Sequence, residues 1–428
     1  MTTRRTFMIG LGAAGTVASL SLPAMASAPA PQAATAITKV FGDGLRFVAI
    51  AVHYDSSVQA DALDAEDFIV EGRTVTDVYP ANAPEPGTRA DEGSYVIVVL
   101  SSNDEAARLK QEQDRSAQPK MAGGKPSWKA GDPNVSDVTW HSPAAVLATP
   151  DGDVATSSVR NLVVDQFEQR VWQDPDTGDT LPYNLFIPNG YDRAKSYPLV
   201  NFMHDAGATS EDPLMTLKQG LGAISWASPQ DQAARPAFVL APQYAEIIAD
   251  DENNTSSMLD TTINLIKSLT REFSIDPARL YTTGQSGGGM MSIAMNVKYP
   301  DFFAASFLVA CQWGPELVEP MAGNRMFIIT SQDDGRAFPG QNALTEALEA
   351  AGATVARAVW DGTWTDDQYQ FAFDDLNAEG ARINYVSFAK GTVIPEGEST
   401  EGAAGHQNTW RLAYSIEPVR AWLLRTDP

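Results

Sequence analysis

The sequence predicts an α/β protein: a doubly wound, mostly parallel sheet preceded by a small all-β antiparallel sandwich. Two stretches of contrasting rhythm predict it. Residues 37–100 alternate with period two and are rich in β-branched side chains, with Gly and Pro clusters between the runs. After about residue 142, short apolar runs alternate with helical patterns, the signature of parallel strands joined by crossover helices. A third observation sharpens the second: around residue 284 a strand, a glycine-rich turn and a helix follow one another without a gap.

The chain opens on an address. Thr3-Arg4-Arg5-Thr6-Phe7-Met8 precedes a moderately apolar Gly/Ala run and then Ala24-Met25-Ala26-Ser27-Ala28. That order of charged, apolar and small-residue zones marks residues 1–27 as a twin-arginine export signal, so a periplasmic or extracellular protein is expected. No cysteine follows the apolar run, and no later run approaches the roughly 20 apolar residues that span a bilayer. Neither a lipid anchor nor a membrane span is therefore expected.

Residues 36–140 carry the sandwich. Its strands are Leu45-Arg46-Phe47-Val48-Ala49-Ile50-Ala51-Val52, Phe68-Ile69-Val70, Arg73-Thr74-Val75-Thr76-Asp77-Val78-Tyr79 and Tyr95-Val96-Ile97-Val98-Val99-Leu100. The polar stretch 111–137, with its Gly, Pro and Lys, reads as a long excursion or linker. Residues 141–428 form the second domain. It begins with an expected antiparallel pair, 159–172 and 181–187, and continues with parallel strands at 199–203, 237–240, 280–283, 305–309 and 326–329. Helices are expected over 257–273, 288–298, 341–351, 366–378 and 409–424.

Composition narrows the function. Of the 428 residues, 43% are hydrophobic, which is ample for packed cores. The 54 acidic against 30 basic residues leave a formal charge of −24, which repels phosphate backbones and excludes nucleic acid as a natural partner. Cys311 is alone, so neither a disulfide framework nor a thiolate metal cluster is available. Asp174, Asp176 and Asp179 lack the full spacing of a calcium loop and read as a hairpin turn, while Asp250-Asp251-Glu252 reads as a solvated loop. No metal or cofactor is called for.

Gly284-Gln285-Ser286-Gly287-Gly288 has the G-x-S-x-G form in the required strand–turn–helix setting. Small residues flank the serine because the bend brings backbone against backbone, and the bend exposes Ser286 Oγ at a helix N-terminus. In such a fold the acid and then the histidine follow the serine. His53, His141 and His204 precede Ser286, which leaves His406 as base. The acid belongs in the loop Ser331-Gln332-Asp333-Asp334-Gly335. Asp334 is preferred because it stands farther past the strand and precedes glycine, with Asp333 the alternative. Oxyanion donors are expected from the backbone of Gly287, the residue after the nucleophile, and of Ala206, in the loop His204-Asp205-Ala206-Gly207. His204 reads as a brace of that loop. Trp313 and Trp360 are candidates for a substrate platform, and Cys311 reads as a small buried hydrophobe.

Ile275-Asp276-Pro277-Ala278-Arg279-Leu280-Tyr281, Gly284-Gln285-Ser286 and Gly405-His406-Gln407-Asn408-Thr409-Trp410 resemble the secreted α/β-hydrolase esterases that carry an N-terminal immunoglobulin-like domain. These are relatives of polyhydroxybutyrate-depolymerase-like esterases and, more distantly, of prolyl oligopeptidases. The likeness spans nearly the whole exported chain, and Ala337-Phe338-Pro339-Gly340 just after the acid loop again favours Asp334. The resemblance implies a carboxylesterase, with a polyester depolymerase or a non-catalytic binding or assembly protein as alternatives, a small or polymeric ester as partner, and room for a homo-oligomer. Two residues depart from the pattern. Gly287 stands where the family carries a bulky Met or Leu, and Asp205 replaces the glycine of a His-Gly oxyanion loop. A carboxylate aimed at an oxyanion would oppose catalysis, so Asp205 is expected to point away or to be hydrogen-bonded.

Overall fold

A computed structural model describes residues 29–111, 129–133 and 138–425. The expected export signal, residues 1–27, and most of the 111–137 excursion lie outside them. No helix among the described residues is long and apolar enough to cross a membrane.

The first sheet has seven strands, in the order Ile69–Val70, Val146–Ala148, Val154–Asn161, Pro31–Phe41, Gly44–Gln59, Glu92–Leu100 and Val75–Ala81. Alternation along a strand sends neighbouring side chains to opposite faces. Ile50, Val52, Val96 and Val98 thus enter the main core, while Ala49, Ala51 and Ile97 build a small second cluster with Tyr79. One pair breaks the expected antiparallel pattern: Pro31–Phe41 and Val154–Asn161 run parallel. More than a hundred residues separate these strands, enough chain for the crossover that a parallel pair needs.

The first sheet also reaches past residue 140, where the sequence suggested that the second domain begins. The strand expected over 159–172 is in fact two strands in different sheets, Val154–Asn161 and Glu168–Gln173. Between them Val163 sits at φ 68° beside a short 3-10 turn, and Asp165 accepts hydrogen bonds from Asn161 N and Nδ2 at 2.8 and 2.9 Å. That turn redirects the chain from one sheet to the other.

The second sheet has nine strands and is mixed. Glu168–Gln173, Thr180–Phe186 and Phe238–Pro242 are joined antiparallel at one edge. From Phe238–Pro242 the sheet continues parallel through Tyr197–Met203, Ile275–Gln285, Ala305–Val309, Met326–Ser331, Ile383–Phe388 and Val355–Trp360. The last two strands were missed in the sequence, where 383–388 mixes polar and apolar residues and 355–360 is an exposed edge. The helix expected over 409–424 is two, Ala404–Ala413 and Glu417–Leu424, because Pro418 starts a new helix rather than continuing the old one.

Both faces of this sheet are covered. Leu199, Leu240, Leu280 and Ile328 pack against Ile263, Ile266, Met291 and Leu344 from helices on one side. Phe202, Tyr281, Phe307 and Phe327 pack against Phe373, Tyr414 and Trp422 on the other. This second core is continuous with that of the first sheet, so the two parts of the chain share one apolar interior.

Candidate active site

Strand Ile275–Gln285 runs directly into helix Gly287–Lys298, with Ser286 alone at the bend. Ser286 sits at φ 50°, ψ −121°, a conformation that costs a non-glycine residue on the order of 1–3 kcal/mol. The bend is held by Ser286 N donating to Val309 O at 3.0 Å. Gly288 is obligatory here: a Cβ on it would lie 2.1 Å from Met203 O, so any side chain would push the start of the His204 loop off the bend.

His406 lies in the first turn of helix Ala404–Ala413 rather than in a loop before a helix, as the sequence suggested. Tertiary contact explains the difference. Gly405 packs so closely on Asp333 that a Cβ would lie 2.5 Å from the Asp333 Cβ, and this seats the helix start over the acid loop. His406 Nε2 is 2.9 Å from Ser286 Oγ, and Nδ1 is 2.5 Å from Asp334 Oδ2. An ionised Asp334 can only accept, so the imidazole proton sits on Nδ1 and the Nε2 lone pair faces the serine hydroxyl. The Trp410 ring packs edge-on against the imidazole.

Asp334, not Asp333, faces His406. Its Oδ1 accepts from Arg336 N and Ala337 N at 3.1 and 2.9 Å, which uses the first backbone donors of helix Ala337–Ala350. Burial pushes the Asp334 carboxyl up, but the hydrogen bond and charge of His406 and these two N–H groups outweigh it and hold the carboxyl below its ordinary range. Asp333 instead accepts from Gly391 N at 2.7 Å and fixes a neighbouring loop.

A Cβ on Gly287 would lie 3.6 Å from Ala206 N, in ordinary van der Waals contact, so the two expected oxyanion residues are neighbours. Asp205 is hydrogen-bonded, as expected: its carboxylate accepts from Gly207 N at 2.8 Å and from Gln285 Nε2 at 3.0 Å. It therefore ties the loop to the residue before Ser286. His204 is fully buried and braces the same loop from behind. Nδ1–H donates to Asp205 O at 2.8 Å and Nε2 accepts from Tyr244 N at 3.0 Å. Burial lowers its pKa against the opposing pull of the Asp205 carbonyl and charge, so it is a neutral structural group.

A cleft of about 570 Å³ opens over Ser286, lined by Ala206, Gly287, Met290, His406 and the loops around Asp250, Gln312 and Arg336. The two tryptophans proposed as a platform do not line it. Trp313 is buried in the helix-side core, and Trp360 packs against Phe327, Trp364 and Tyr369 beside a separate groove. Large rings at strand ends are captured by the nearest core, which sequence position alone does not reveal. The loop at Asp250 is the opposite case. Read as solvated, Asp250 is only 4% exposed and accepts from Glu252 N, Asn254 N and Ala130 N. The run Asp250-Asp251-Glu252-Asn253-Asn254, whose Asp and Asn side chains are of the kind that cap their own turn, was the available signal. Asp174 likewise is buried and accepts from Asp176 N and Asn264 Nδ2, as a hairpin brace. Cys311 is buried, and burial pushes its thiol up to about 12. Among the described residues no group of three or more His, Cys, Asp or Glu side chains is placed to hold a metal ion.

Residues 33–157 match the family of esterase Ig-like N-terminal domains. The matched residues hold nearly all of the first sheet. The match includes the strand at Val146–Ala148, in keeping with a sheet that extends past residue 140. No curated protein matches the chain. A thermostable esterase of known structure superposes with a TM-score of 0.73 at 23% identity, over 92% of this chain and 98% of that one. This shows an α/β-hydrolase fold behind the Ig-like domain. The feruloyl esterase module from Clostridium thermocellum is similar at 15% identity and a TM-score of 0.39, over 59% of this chain and 88% of that one. The Ig-like domain reaches the cleft wall through residues 130–132: Gly131 N donates to Ile247 O at 2.8 Å, and Ile247 N to Asp132 O at 3.0 Å.

Proposed function

We propose that the protein is an exported serine carboxylesterase. The observation that carries this reading is the unbroken hydrogen-bonded chain from Ser286 through His406 to Asp334 at a strained strand-to-helix bend. Ser286 Oγ attacks the ester carbonyl while His406 Nε2 takes its proton. The N–H groups of Ala206 and Gly287 receive the negative charge that develops on the carbonyl oxygen. His406 then gives the proton to the departing alcohol, leaving an acyl group on Ser286 Oγ. A water, deprotonated in turn by His406, releases the acid. Asp334 holds the imidazole tautomer and stabilises the imidazolium throughout. No metal or cofactor takes part in these steps.

A fluorophosphonate probe is expected to add one phosphonyl group at Ser286 and to stop hydrolysis of p-nitrophenyl acetate in step with labelling. Full labelling elsewhere, or turnover that survives it, would refute the reading. Asp205→Gly is expected to lower kcat by roughly three- to tenfold, because it frees the oxyanion loop from Gln285. A rise of orders of magnitude would show instead that the carboxylate opposes the reaction. A depolymerase of solid polyester is the second reading, favoured by the exposed pair Val359 and Phe371, 57% and 78% accessible, beside one groove. Release of soluble hydroxy acids from a polyhydroxybutyrate film would select it.

A further inference from the structure

The cleft over Ser286 changes character from floor to mouth. Its floor is small and apolar: Ile247, Ala249 and Met290 are all buried, and Ala206 and Ala403 add only methyl groups. Among the described residues no aromatic side chain other than the His406 imidazole lines it. Its mouth is charged. Arg336 Nη2 lies 2.7 Å from Asp251 Oδ2, and Gln312 Nε2 donates to Asp251 Oδ1 at 3.0 Å. Arg336 is the single cation among the described lining residues, and its side chain is 61% exposed.

An exposed ion pair between free side chains contributes little. Here both backbones are already pinned. Asp251 follows the buried Asp250, whose carboxylate gathers the N–H groups of Glu252, Asn254 and Ala130, and Asn253 Oδ1 ties the same loop to Gly314 N at 2.8 Å. Arg336 N is held by Asp334 Oδ1. The bridge therefore joins two fixed loops, so less conformational freedom is lost in forming it than between mobile segments.

We propose that the Asp251–Arg336 pair sets the chain-length limit of the cleft and makes it selective for short-chain esters, an inference that rests on the esterase reading above. Each methylene laid on apolar surface gains about fourfold in kcat/KM. Such gains end where the floor ends. A longer chain meets Asp251, Arg336 and Gln312, which offer hydrated polar atoms in place of apolar contact, and reaching past them requires breaking the bridge.

The test compares the parent with Asp251→Leu/Arg336→Leu, which removes both charges together and leaves neither unpaired. kcat/KM is measured for p-nitrophenyl acetate, butyrate, hexanoate and octanoate, and for ethyl through octyl acetate, so that acyl and alcohol arms are read separately. The parent is expected to fall off beyond four carbons in at least one series. The double variant is expected to raise the long-to-short ratio in that series by at least about tenfold. Should the leucine pair not fold, Asp251→Asn/Arg336→Met is expected to raise the ratio at least about threefold. A parent that prefers eight carbons in both series, or a ratio unchanged by removal of the pair, would overturn the inference while leaving ester hydrolysis intact. Equal background from the parent and from Ser286→Ala on every ester would overturn ester hydrolysis itself and this inference with it.

Discussion

Ser286→Ala is expected to reduce kcat/KM for p-nitrophenyl acetate by about 10⁵-fold or to the uncatalysed background. The alanine keeps the Cβ and the strained φ of 50°, so the elbow and cleft should persist while the nucleophile is gone. Thermal unfolding separates this loss from misfolding. Ser286→Gly, equally inactive, is expected to unfold at higher temperature than Ser286→Ala, because glycine relieves strain worth on the order of 1 kcal/mol or more. A variant lacking the hydroxyl that retained parental turnover would remove Ser286 from the reaction. One no more stable as glycine than as alanine would show that the bend stores no strain.

Asp334→Asn is expected to lower kcat by about 10⁴-fold, whereas Asp333→Asn is expected to cost less than about tenfold. The difference follows from how each side chain is held. Asp334 Oδ1 accepts from Arg336 N and Ala337 N, so an asparagine there must keep its carbonyl oxygen on those donors and turn its amide nitrogen toward His406. An N–H facing Nδ1 forces the imidazole proton onto Nε2, where it points at Ser286 Oγ and can accept nothing from it. The base is lost with almost no change in shape. Asp333 touches Gly391 N and the Ser331 hydroxyl, and its substitution disturbs only a loop. Comparable losses in the two variants would mean that the acid is shared or misassigned. Far-ultraviolet circular dichroism and melting temperatures provide the folding control for both.

The strand–turn–helix at 280–290 was legible because its constraint is local. A serine between glycines at a tight bend is dictated by backbone clearance, and the clearance at Gly288 bears this out at atomic scale. Chain order singled out His406 by elimination, and the glycine after Asp334 favoured that acid over its neighbour. Less local features were misread. Val159 and Trp172 share an apolar rhythm but belong to different sheets, since a rhythm of period two says nothing about which sheet a strand joins. Trp313 and Trp360 stand at strand ends that point toward the site in sequence, yet their size draws them into the cores. Asp250 looked solvated because three acidic residues in a row usually are. It is buried because its carboxylate replaces water with backbone N–H groups from two separate segments.

By itself, then, the sequence determined the order of the two folds, the serine and histidine that the structure brings within hydrogen-bond distance, and the acidic balance of the chain. These follow from residue type and from spacing along a few turns of chain. Only the tertiary structure decided the shape and polarity of the cleft. Asp251, Gln312 and Arg336 stand on three separate loops, and each is an ordinary surface residue within its own segment. They become a wall and a mouth only once long-range strand pairing has brought their loops to the same ends of the parallel strands.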